Sequence, residues 1–299
     1  DETLKSRLAA PKKQSLLWAG ESFRSMTEAQ RTAPLSFFYG KGGLPVEKTT
    51  PLYSRHVALG GKIVNFGGYL MPVQYPAGVI AEHAAVRTKA GLFDISHMGE
   101  VRLSGAGAAD FLNHTLTNDA HKLVIGQAQY TLLCNERGGV IDDLYAYRTG
   151  ELDYLLIINA SRIEADTAWL ARQHELWPRR QEVCLENVSE QYGAVAAQGP
   201  RVVEFINQAF PGAATLGTPV HQPAELKKNQ MAGFPFQGQT VFLARTGYTG
   251  EDGFEVVAPA GIIERIWEHL LEIGRAYGLQ PAGLGARDTL RTEVCYPLY

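Results

Sequence analysis

The segment that decides the fold is Gln127-Ala-Gln-Tyr-Thr-Leu-Leu-Cys-Asn-Glu-Arg-Gly-Gly-Val-Ile-Asp-Asp-Leu-Tyr-Ala-Tyr147. Two apolar runs flank a Gly-Gly pair, a pattern that favours a hairpin of two strands. Two adjacent carboxylates, Asp142 and Asp143, follow the turn. Because neighbouring side chains of a strand point to opposite faces, one of the two is expected to face outward and the other inward. An inward carboxylate is costly unless it is paired or used in chemistry, whereas the simpler alternative is that both end a hairpin in solvent.

The rest of the chain alternates hairpin patterns with helical patterns, which predicts an α+β protein. Period-two alternation predicts strands at residues 62–66, 100–103, 129–134, 140–148, 154–158, 192–197 and 239–245. Helical spacing predicts helices at residues 79–89, 108–116, 161–174 and 201–210, and a long one with Ile262, Ile266, Leu270 and Ile273 on its buried face. We expect Gly91 to close the first helix in a left-handed conformation, Ser161 and Glu164 to form a capping box, and Pro72 to lie in a loop.

Composition excludes several classes of protein. The chain has 299 residues, with 28 Lys and Arg against 31 Asp and Glu, and its net charge of -3 is unlike the basic surface that nucleic-acid binding requires. Its three cysteines form no Cys-x-x-Cys pair, which predicts buried, reduced thiols and a cytoplasmic location, or the mitochondrial matrix if the source is eukaryotic. No apolar run is long enough to span a membrane, so no membrane partner is expected.

Common signatures of catalytic sites are missing from the sequence. There is no Walker phosphate loop, no His-Glu-x-x-His and no Gly-x-Ser-x-Gly, and the eight histidines are scattered, so no metal site is expected. His97 is a candidate base, although a hydrogen-bonded structural histidine is the simpler interpretation. Glu255 follows three glycines at the entrance of a strand, where a ligand can approach the backbone closely, or where the glycines mark only a tight turn.

A more specific pattern comes from six segments taken in order. They are Leu92-Phe-Asp-Ile-Ser-His-Met-Gly-Glu100, Thr117-Asn-Asp119, Gly138-Gly-Val-Ile-Asp-Asp-Leu144, Ala197-Gln-Gly-Pro200, Arg245-Thr-Gly-Tyr-Thr-Gly-Glu-Asp-Gly-Phe-Glu255 and Gly283-Leu-Gly-Ala-Arg-Asp288. Together they resemble the aminomethyltransferase family, the T-proteins of the glycine cleavage system. The resemblance runs from about residue 50 to residue 299.

The resemblance implies interleaved α+β folate-binding domains built of antiparallel sheets with helices, followed in relatives by a C-terminal β-barrel that we expect to be absent from this chain. It implies three regions: a loosely ordered extension at residues 1–49, a folate-binding aminomethyltransferase core at residues 50–285, and the start of a connection to the missing barrel at residues 286–299. Tetrahydrofolate is the implied cofactor, and the lipoylated H-protein is the implied partner.

The same resemblance implies a set of site residues. The catalytic aspartate is the second of the pair, Asp143, which leaves Asp142 a structural or modulating role. The implied folate contacts are Tyr130, Tyr147, Asn159, Glu255, Arg287, Tyr248 and Tyr296. Because Tyr147 lies four residues beyond Asp143, strand alternation places their side chains on one face. A carboxylate such as Glu255 suits the adjacent N–H donors of a pterin, and tyrosine rings suit its flat faces.

The implied reaction moves a one-carbon unit from the aminomethyl-dihydrolipoyl arm of H-protein to tetrahydrofolate, giving 5,10-methylenetetrahydrofolate and ammonia. Two alternatives share the scaffold: a folate-dependent demethylase of a methylated small molecule, and a non-catalytic folate-binding assembly factor. Assembly factors of this type carry a Lys-Gly-Cys signature, which this sequence lacks.

Overall fold

The computed structural model describes residues 47–298, which lie within one compact unit. The expected extension at residues 1–49 therefore lies almost wholly outside the described residues. The strands are β1 Lys48–Thr49, β2 Lys62–Phe66, β3 Tyr69–Gln74, β4 Ala90–Asp94, β5 Gly99–Ser104, β6 Ala128–Cys134, β7 Val140–Arg148, β8 Asp153–Ile158, β9 Cys184–Asn187, β10 Tyr192–Gln198, β11 Leu216–Gly217, β12 Met231–Phe236, β13 Gln239–Ala244, β14 Gly253–Pro259 and β15 Leu279–Pro281. The α-helices are α1 Tyr53–Ala58, α2 Val79–Thr88, α3 Ala108–Thr115, α4 Ile163–Leu176, α5 Val202–Ala209, α6 Ala260–Gly274 and α7 Leu284–Glu293.

The strands form three sheets. Seven strands follow the order β11-β12-β13-β14-β10-β4-β15, five follow β6-β7-β8-β5-β9, and three follow β1-β3-β2. All pairs are antiparallel except β4 with β15 and β1 with β3. The predicted α+β class is confirmed. The predicted domain boundaries stay predictions.

The opening segment forms the hairpin of β6 and β7. Their register pairs Tyr130 with Tyr145 and Leu132 with Asp143. The turn closes on Asn135, whose side-chain oxygen accepts from the backbone N–H groups of Arg137 and Gly139. Local polar contacts of this kind satisfy the turn's backbone and fix the hairpin register.

The five-stranded sheet has two different faces. One face packs on α3 and α4 through a core that includes Phe111, Leu144, Ala146, Leu156 and Leu170. The other face meets the seven-stranded sheet. There the side chain of Tyr147, with Ala128 and Leu155, packs against Met231 and Ala244 of the seven-stranded sheet, so the residues of β7 that point away from α4 line the junction of the two sheets.

The seven-stranded sheet is held from behind by α5 and α6. The predicted apolar face of α6 is confirmed, because Ile262, Ile266 and Leu270 are fully buried together with Val195 of β10. The other side of the same strand presents Ala196 to the junction between the sheets. Ala196 is one of the residues that line the pocket described below.

Four local predictions were wrong. Gly91 is not a left-handed helix cap but a residue of β4, where an added Cβ would lie 2.5 Å from a Val86 methyl carbon, so close packing explains the glycine. Ser161 makes no cap, since α4 begins at Ile163 after a turn of 3₁₀ helix. Pro72 lies inside β3 rather than in a loop. The cysteines are free, but Cys184 and Cys295 are exposed rather than buried.

Candidate active site

Asp143 lies on the face of β7 that lines the junction. Its carboxylate accepts a hydrogen bond of 2.7 Å from the Tyr130 hydroxyl and one of 3.0 Å from Nδ2 of Asn159. Burial and the contact with Asp143 raise the pKa of Tyr130, so the phenol keeps its proton and donates it. Asp143 is itself half-buried and its partner Tyr130 is 40% exposed, so the carboxylate is held in place yet reachable from outside.

Asp142 has the opposite environment. Its side chain is fully buried beneath the sheet. It accepts hydrogen bonds from Asn159, of 3.0 Å from the backbone N–H and 2.9 Å from Nδ2. Because its oxygens are engaged by the protein, Asp142 anchors Asn159 and does not face a ligand. Strand alternation thus separates the two neighbours into a buried anchor and an accessible carboxylate.

A row of tyrosines leads from Asp143 into the protein. The ring of Tyr145 lies 5.8 Å from that of Tyr130 and 6.0 Å from that of Tyr147. Asp143 and Tyr147 share a face, as their spacing of four residues predicts. Tyr145 was not among the predicted residues, although the same alternation places it between them. At these separations the rings contact one another and form a continuous aromatic surface, on which a flat ring or a substrate chain can pack.

The tyrosine row ends at Glu255. Thr246 Oγ1 donates a hydrogen bond of 2.5 Å to the Glu255 carboxylate, so its oxygen is left to accept from the Tyr147 hydroxyl at 3.3 Å. Burial raises the pKa of Glu255, while the Thr246 hydrogen bond and the charge of Arg287 act in the opposite direction. A carboxylate is therefore fixed at the inner end of the row.

Arg287 stands beside Glu255 and lacks a full set of partners. Its Nη1 is buried and has no hydrogen-bond acceptor among residues 47–298, although a guanidinium group normally uses its donors. Burial lowers the pKa of Arg287, and Glu255 opposes that shift. Its guanidinium carbon lies 4.8 Å from the ring centre of Tyr248. A pocket opens here, lined by Phe93, Ile95, Ala196, Gln198, Tyr248, Thr249, Glu255 and Arg287.

The last two predicted tyrosines lie together at the edge of this pocket. The ring of Tyr296 stacks on that of Tyr248 with centres 6.0 Å apart. The Tyr248 hydroxyl donates to the carbonyl of Pro297, which ties the segment after α7 to the pocket. The structure thus gathers the predicted residues into two connected groups, one around Asp143 and one around Glu255 and Arg287.

Two buried groups near the site have no hydrogen-bond partner in the described part of the chain: His97 Nδ1 and both carboxyl oxygens of Glu100. Burial and the charge of Arg287 lower the pKa of His97 to about 4, so the imidazole is neutral at pH 7, and it packs edge-on against Phe66. Burial raises the pKa of Glu100 to about 8. Sequence reasoning missed Glu100, although it follows the Ser-His-Met-Gly motif directly.

The donor set fits a folate. A pterin has adjacent N–H donors and a carbonyl acceptor on a flat ring, and the pocket offers a carboxylate, an unused buried guanidinium donor and aromatic walls. In residues 47–298 no group of three or more His, Cys, Asp and Glu side chains is placed to hold a metal ion. Nor does any helix of that part of the chain have the length and apolarity to cross a bilayer.

Comparison with known proteins identifies the family to which the chain belongs. The family model described as the GCVT N-terminal domain matches residues 52–299. The chain belongs to this family. Among curated relatives of this GCVT chain, an aminomethyltransferase of Prosthecochloris aestuarii is 48% identical over 252 residues, which cover 84% of the chain and 66% of the relative. One of Halalkalibacterium halodurans is 46% identical over 254 residues, covering 84% of the chain and 65% of the relative.

Solved structures agree with this membership. The glycine cleavage system aminomethyltransferase T from Bartonella henselae superimposes with a TM-score of 0.73 at 38% identity, covering 84% of the GCVT chain and 64% of that structure. A heterotetrameric sarcosine oxidase from Corynebacterium sp. U-96 gives a TM-score of 0.50 at 13% identity, with 77% and 95% covered, and therefore indicates a shared fold alone. The matched region spans about two thirds of the length of the curated relatives.

Proposed function

We propose that this chain carries the folate site and the catalytic aspartate of an aminomethyltransferase of the glycine cleavage system. The observation that supports the proposal most is the position of Asp143. It is the accessible carboxylate of the junction, it is oriented by Tyr130 and Asn159, and a row of tyrosines connects it to the pocket of Glu255 and Arg287. The tyrosine row is the place for an extended ligand with one flat end.

The proposed folate contacts follow from the chemistry of each side chain. Glu255 would accept from the N–H edge of the pterin, and Arg287 would donate its unused Nη1 hydrogens to a ligand oxygen. Tyr145 and Tyr147 would pack along the ligand, and Tyr248 with Tyr296 would close the pocket at its edge. Bound tetrahydrofolate supplies a nucleophilic nitrogen that accepts the one-carbon unit.

Asp143 would act on that transfer without forming a bond to the substrate. The donor is the aminomethyl group on the dihydrolipoyl sulfur of H-protein, and positive charge develops on its carbon as ammonia leaves. A fixed carboxylate stabilises this charge, orients the attacking N–H group and receives its proton. The carbon–sulfur bond breaks as the carbon is transferred, and the products are 5,10-methylenetetrahydrofolate, ammonia and the free dihydrolipoyl thiol of H-protein. The proposed location is the cytoplasm, or the mitochondrial matrix for a eukaryotic source.

The proposal is tested by binding and turnover together. Calorimetry with tetrahydrofolate should give one site per chain, and the protein should form methylenetetrahydrofolate from aminomethylated H-protein. Folate binding with turnover only on methylated small molecules would replace this function by the demethylase alternative. Folate binding without turnover on either donor would favour the non-catalytic alternative, and no folate binding would leave only family membership.

A further inference from the structure

Asn159 connects the two neighbouring aspartates. Its Nδ2 lies 2.9 Å from Asp142 Oδ1 and 3.0 Å from both Oδ1 and the backbone oxygen of Asp143. Its backbone N–H donates to the other oxygen of Asp142 at 3.0 Å. The orientation of the Asn159 amide, and with it one of the two hydrogen bonds to Asp143, therefore depends on where Asp142 is held.

Asp166 lies directly behind Asp142. It belongs to the first turn of α4, its side chain is fully buried, and its carboxyl group is close enough to that of Asp142 for the two to interact. No N–H or hydroxyl group of residues 47–298 donates to either Asp166 oxygen. Two buried carboxylates this close repel each other when both are charged, and neither has a hydrogen to donate to the other. Their proximity therefore requires that one of them carries a proton.

The proton belongs on Asp166. Burial, and after it the neighbouring Asp142, raises the pKa of Asp166 to about 9; Asp143 acts in the same direction and the Arg162 guanidinium opposes it. Asp142 is the member of the pair that already accepts two N–H groups, both from Asn159, whereas neither Asp166 oxygen has a donor in the described chain. A protonated Asp166 can then donate its O–H to Asp142, and one of the three clustered carboxyl groups is neutral.

We propose that Asp166 is a positioning residue for the active site: its acid proton holds Asp142, Asp142 holds the Asn159 amide, and the amide holds Asp143. Its effect on catalysis rests on the function proposed above, whereas the proton shared with Asp142 does not. Loss of that proton places a second negative charge beside Asp142, separates the pair and releases Asn159. Asp166 thus supports Asp143 from the far side of the sheet without contacting substrate.

Two substitutions of Asp166 distinguish a role in holding Asp142 from simple filling of the space behind it. Asp166→Asn keeps an N–H donor toward Asp142 but cannot ionise, and Asp166→Leu fills the space with no donor. We expect Asp166→Leu to lower kcat by about 10- to 100-fold, in the range of a lost orienting contact, with the KM for tetrahydrofolate within about threefold because the Glu255 pocket is untouched. Asp166→Asn should keep kcat within about threefold at pH 7.5. The control Glu164→Ala, on the exposed side of the same helical turn, should change neither constant.

The pH profile gives a signature that simple packing would not. Wild-type kcat should fall above about pH 9, where Asp166 loses its proton, and the Asp166→Asn variant should lack this alkaline decline. Wild-type kcat and profile in Asp166→Leu would overturn the proposal. So would an identical alkaline decline in wild type and Asp166→Asn.

A carboxyl titration tests the proton independently of activity. In protein labelled with ¹³C at the aspartate carboxyl groups, the resonance missing from Asp166→Asn should titrate near pH 9 in the wild type. A midpoint in the ordinary acid range would overturn the shared proton even if the enzyme is active. A midpoint near 9 in a protein without transferase activity would support the shared proton while rejecting the function proposed for the site. The titration also remains available if Asp166→Leu does not fold.

Discussion

At the scale of single residues, the proposed reaction depends on the negative charge of Asp143. Asp143→Asn keeps the size of the side chain and an oxygen able to accept from Tyr130, but it removes the negative charge. We expect kcat to fall by at least about 100-fold, because stabilisation of a developing cation depends on that charge. The dissociation constant for tetrahydrofolate should change by less than about threefold, since Glu255 and Arg287 are intact.

The matched control for this change is Asp153→Asn, on the neighbouring strand β8. Asp153 pairs with Arg102, and both side chains are partly exposed. It should leave kcat unchanged. Normal turnover by Asp143→Asn would remove Asp143 from the mechanism and reopen the question of which carboxylate acts.

Glu100 gives a second prediction at this scale. In the five-stranded sheet, consecutive pairing places Tyr130, Tyr145, Ile157 and Glu100 in one row across the strands. Directly paired residues share a face, so Glu100 lies on the junction side, roughly 10 Å from Tyr145. It is 1% exposed and has no hydrogen-bond donor in the described chain.

The pKa of Glu100 makes stability depend on pH in a defined direction. The pKa is raised to about 8 in the folded protein, so between its ordinary value of 4.5 and about 8 the folded state binds a proton that the unfolded state has lost. Stability therefore falls as pH rises through this interval. Glu100→Gln cannot ionise, so its stability relative to that of the wild type should increase by about 4 kcal/mol between pH 5 and pH 8.5. Urea unfolding at the two pH values measures the difference, and parallel stability curves would contradict it.

Residue identities could be predicted from the sequence where a short-range rule fixes geometry. Strand alternation was enough to place Asp143 and Tyr147 on one face, and it also contained Tyr145, which we had not used. It could not reveal that Asp166, 24 residues beyond Asp142 in a helix, would touch that carboxylate. Such a contact depends on how α4 packs against the sheet, and no local pattern encodes that packing.

At the scale of elements, a polar cluster joins the first helix to strand β4 of the seven-stranded sheet. Asp94 Oδ2 accepts from Thr50 at 2.7 Å and lies 2.8 Å from His56 Nε2, while Oδ1 accepts from the Ser96 N–H at 2.9 Å. The Tyr75 hydroxyl lies 2.8 Å from the other nitrogen of His56. Asp94 and His56 are both buried, so these bonds replace water completely.

Asp94→Asn should destabilise the protein by about 3 kcal/mol. The carboxylate accepts hydrogen bonds on both oxygens, whereas the amide has only one oxygen, so its NH2 group would face a buried donor that is left without an acceptor. Burial alone would raise the pKa of Asp94, but the hydrogen bonds from His56, Thr50 and Ser96 bring it below the ordinary value. A lowered pKa contributes stability above the unfolded value and loses it as pH falls into the acid range. The variant should therefore also lose part of the acid-side slope in denaturant titrations.

The exposed Asp153→Asn again serves as the control, with an expected cost below about 1 kcal/mol. An equal cost for both substitutions would mean that the Asp94 cluster adds nothing beyond a surface ion pair.

Helix and strand positions were largely predictable because their periodicities are strong. The failures at Gly91 and Ser161 have a common cause, since tertiary contacts rather than local caps determine where α2 and α4 end or begin.

At the scale of the whole molecule, the site lies where the two large sheets meet. Asp143, Tyr145 and Tyr147 come from the five-stranded sheet, while Glu255 comes from β14 and Arg287 from α7. In the sequence, Glu255 and Arg287 lie more than 100 positions beyond Tyr147. Their convergence was predictable only through the family resemblance, because periodicity reports on faces and not on which sheets pack together.

A ligand held by both sheets should stabilise the whole described fold. At a tetrahydrofolate concentration of 100 times the dissociation constant, binding to the folded state alone adds about 2.7 kcal/mol to the free energy of unfolding. For a chain of this size, each kcal/mol raises the melting temperature by roughly 2 to 4 °C. We therefore expect the wild-type melting temperature to rise by about 5 to 10 °C in scanning calorimetry.

Arg287→Met should abolish most of this rise at the same concentration, because the ligand loses its buried donor, while the melting temperature without folate should stay the same or increase. The reason for the second effect is that Nη1 of Arg287 is buried without a protein partner. Replacing the side chain removes a free-energy cost of desolvation that no hydrogen bond offsets. The control Arg265→Met, at an exposed position of α6, should leave the folate-dependent rise intact. A full rise in Arg287→Met would show that folate is held elsewhere, and a large loss of stability without folate would mean that Arg287 supports the fold rather than the ligand.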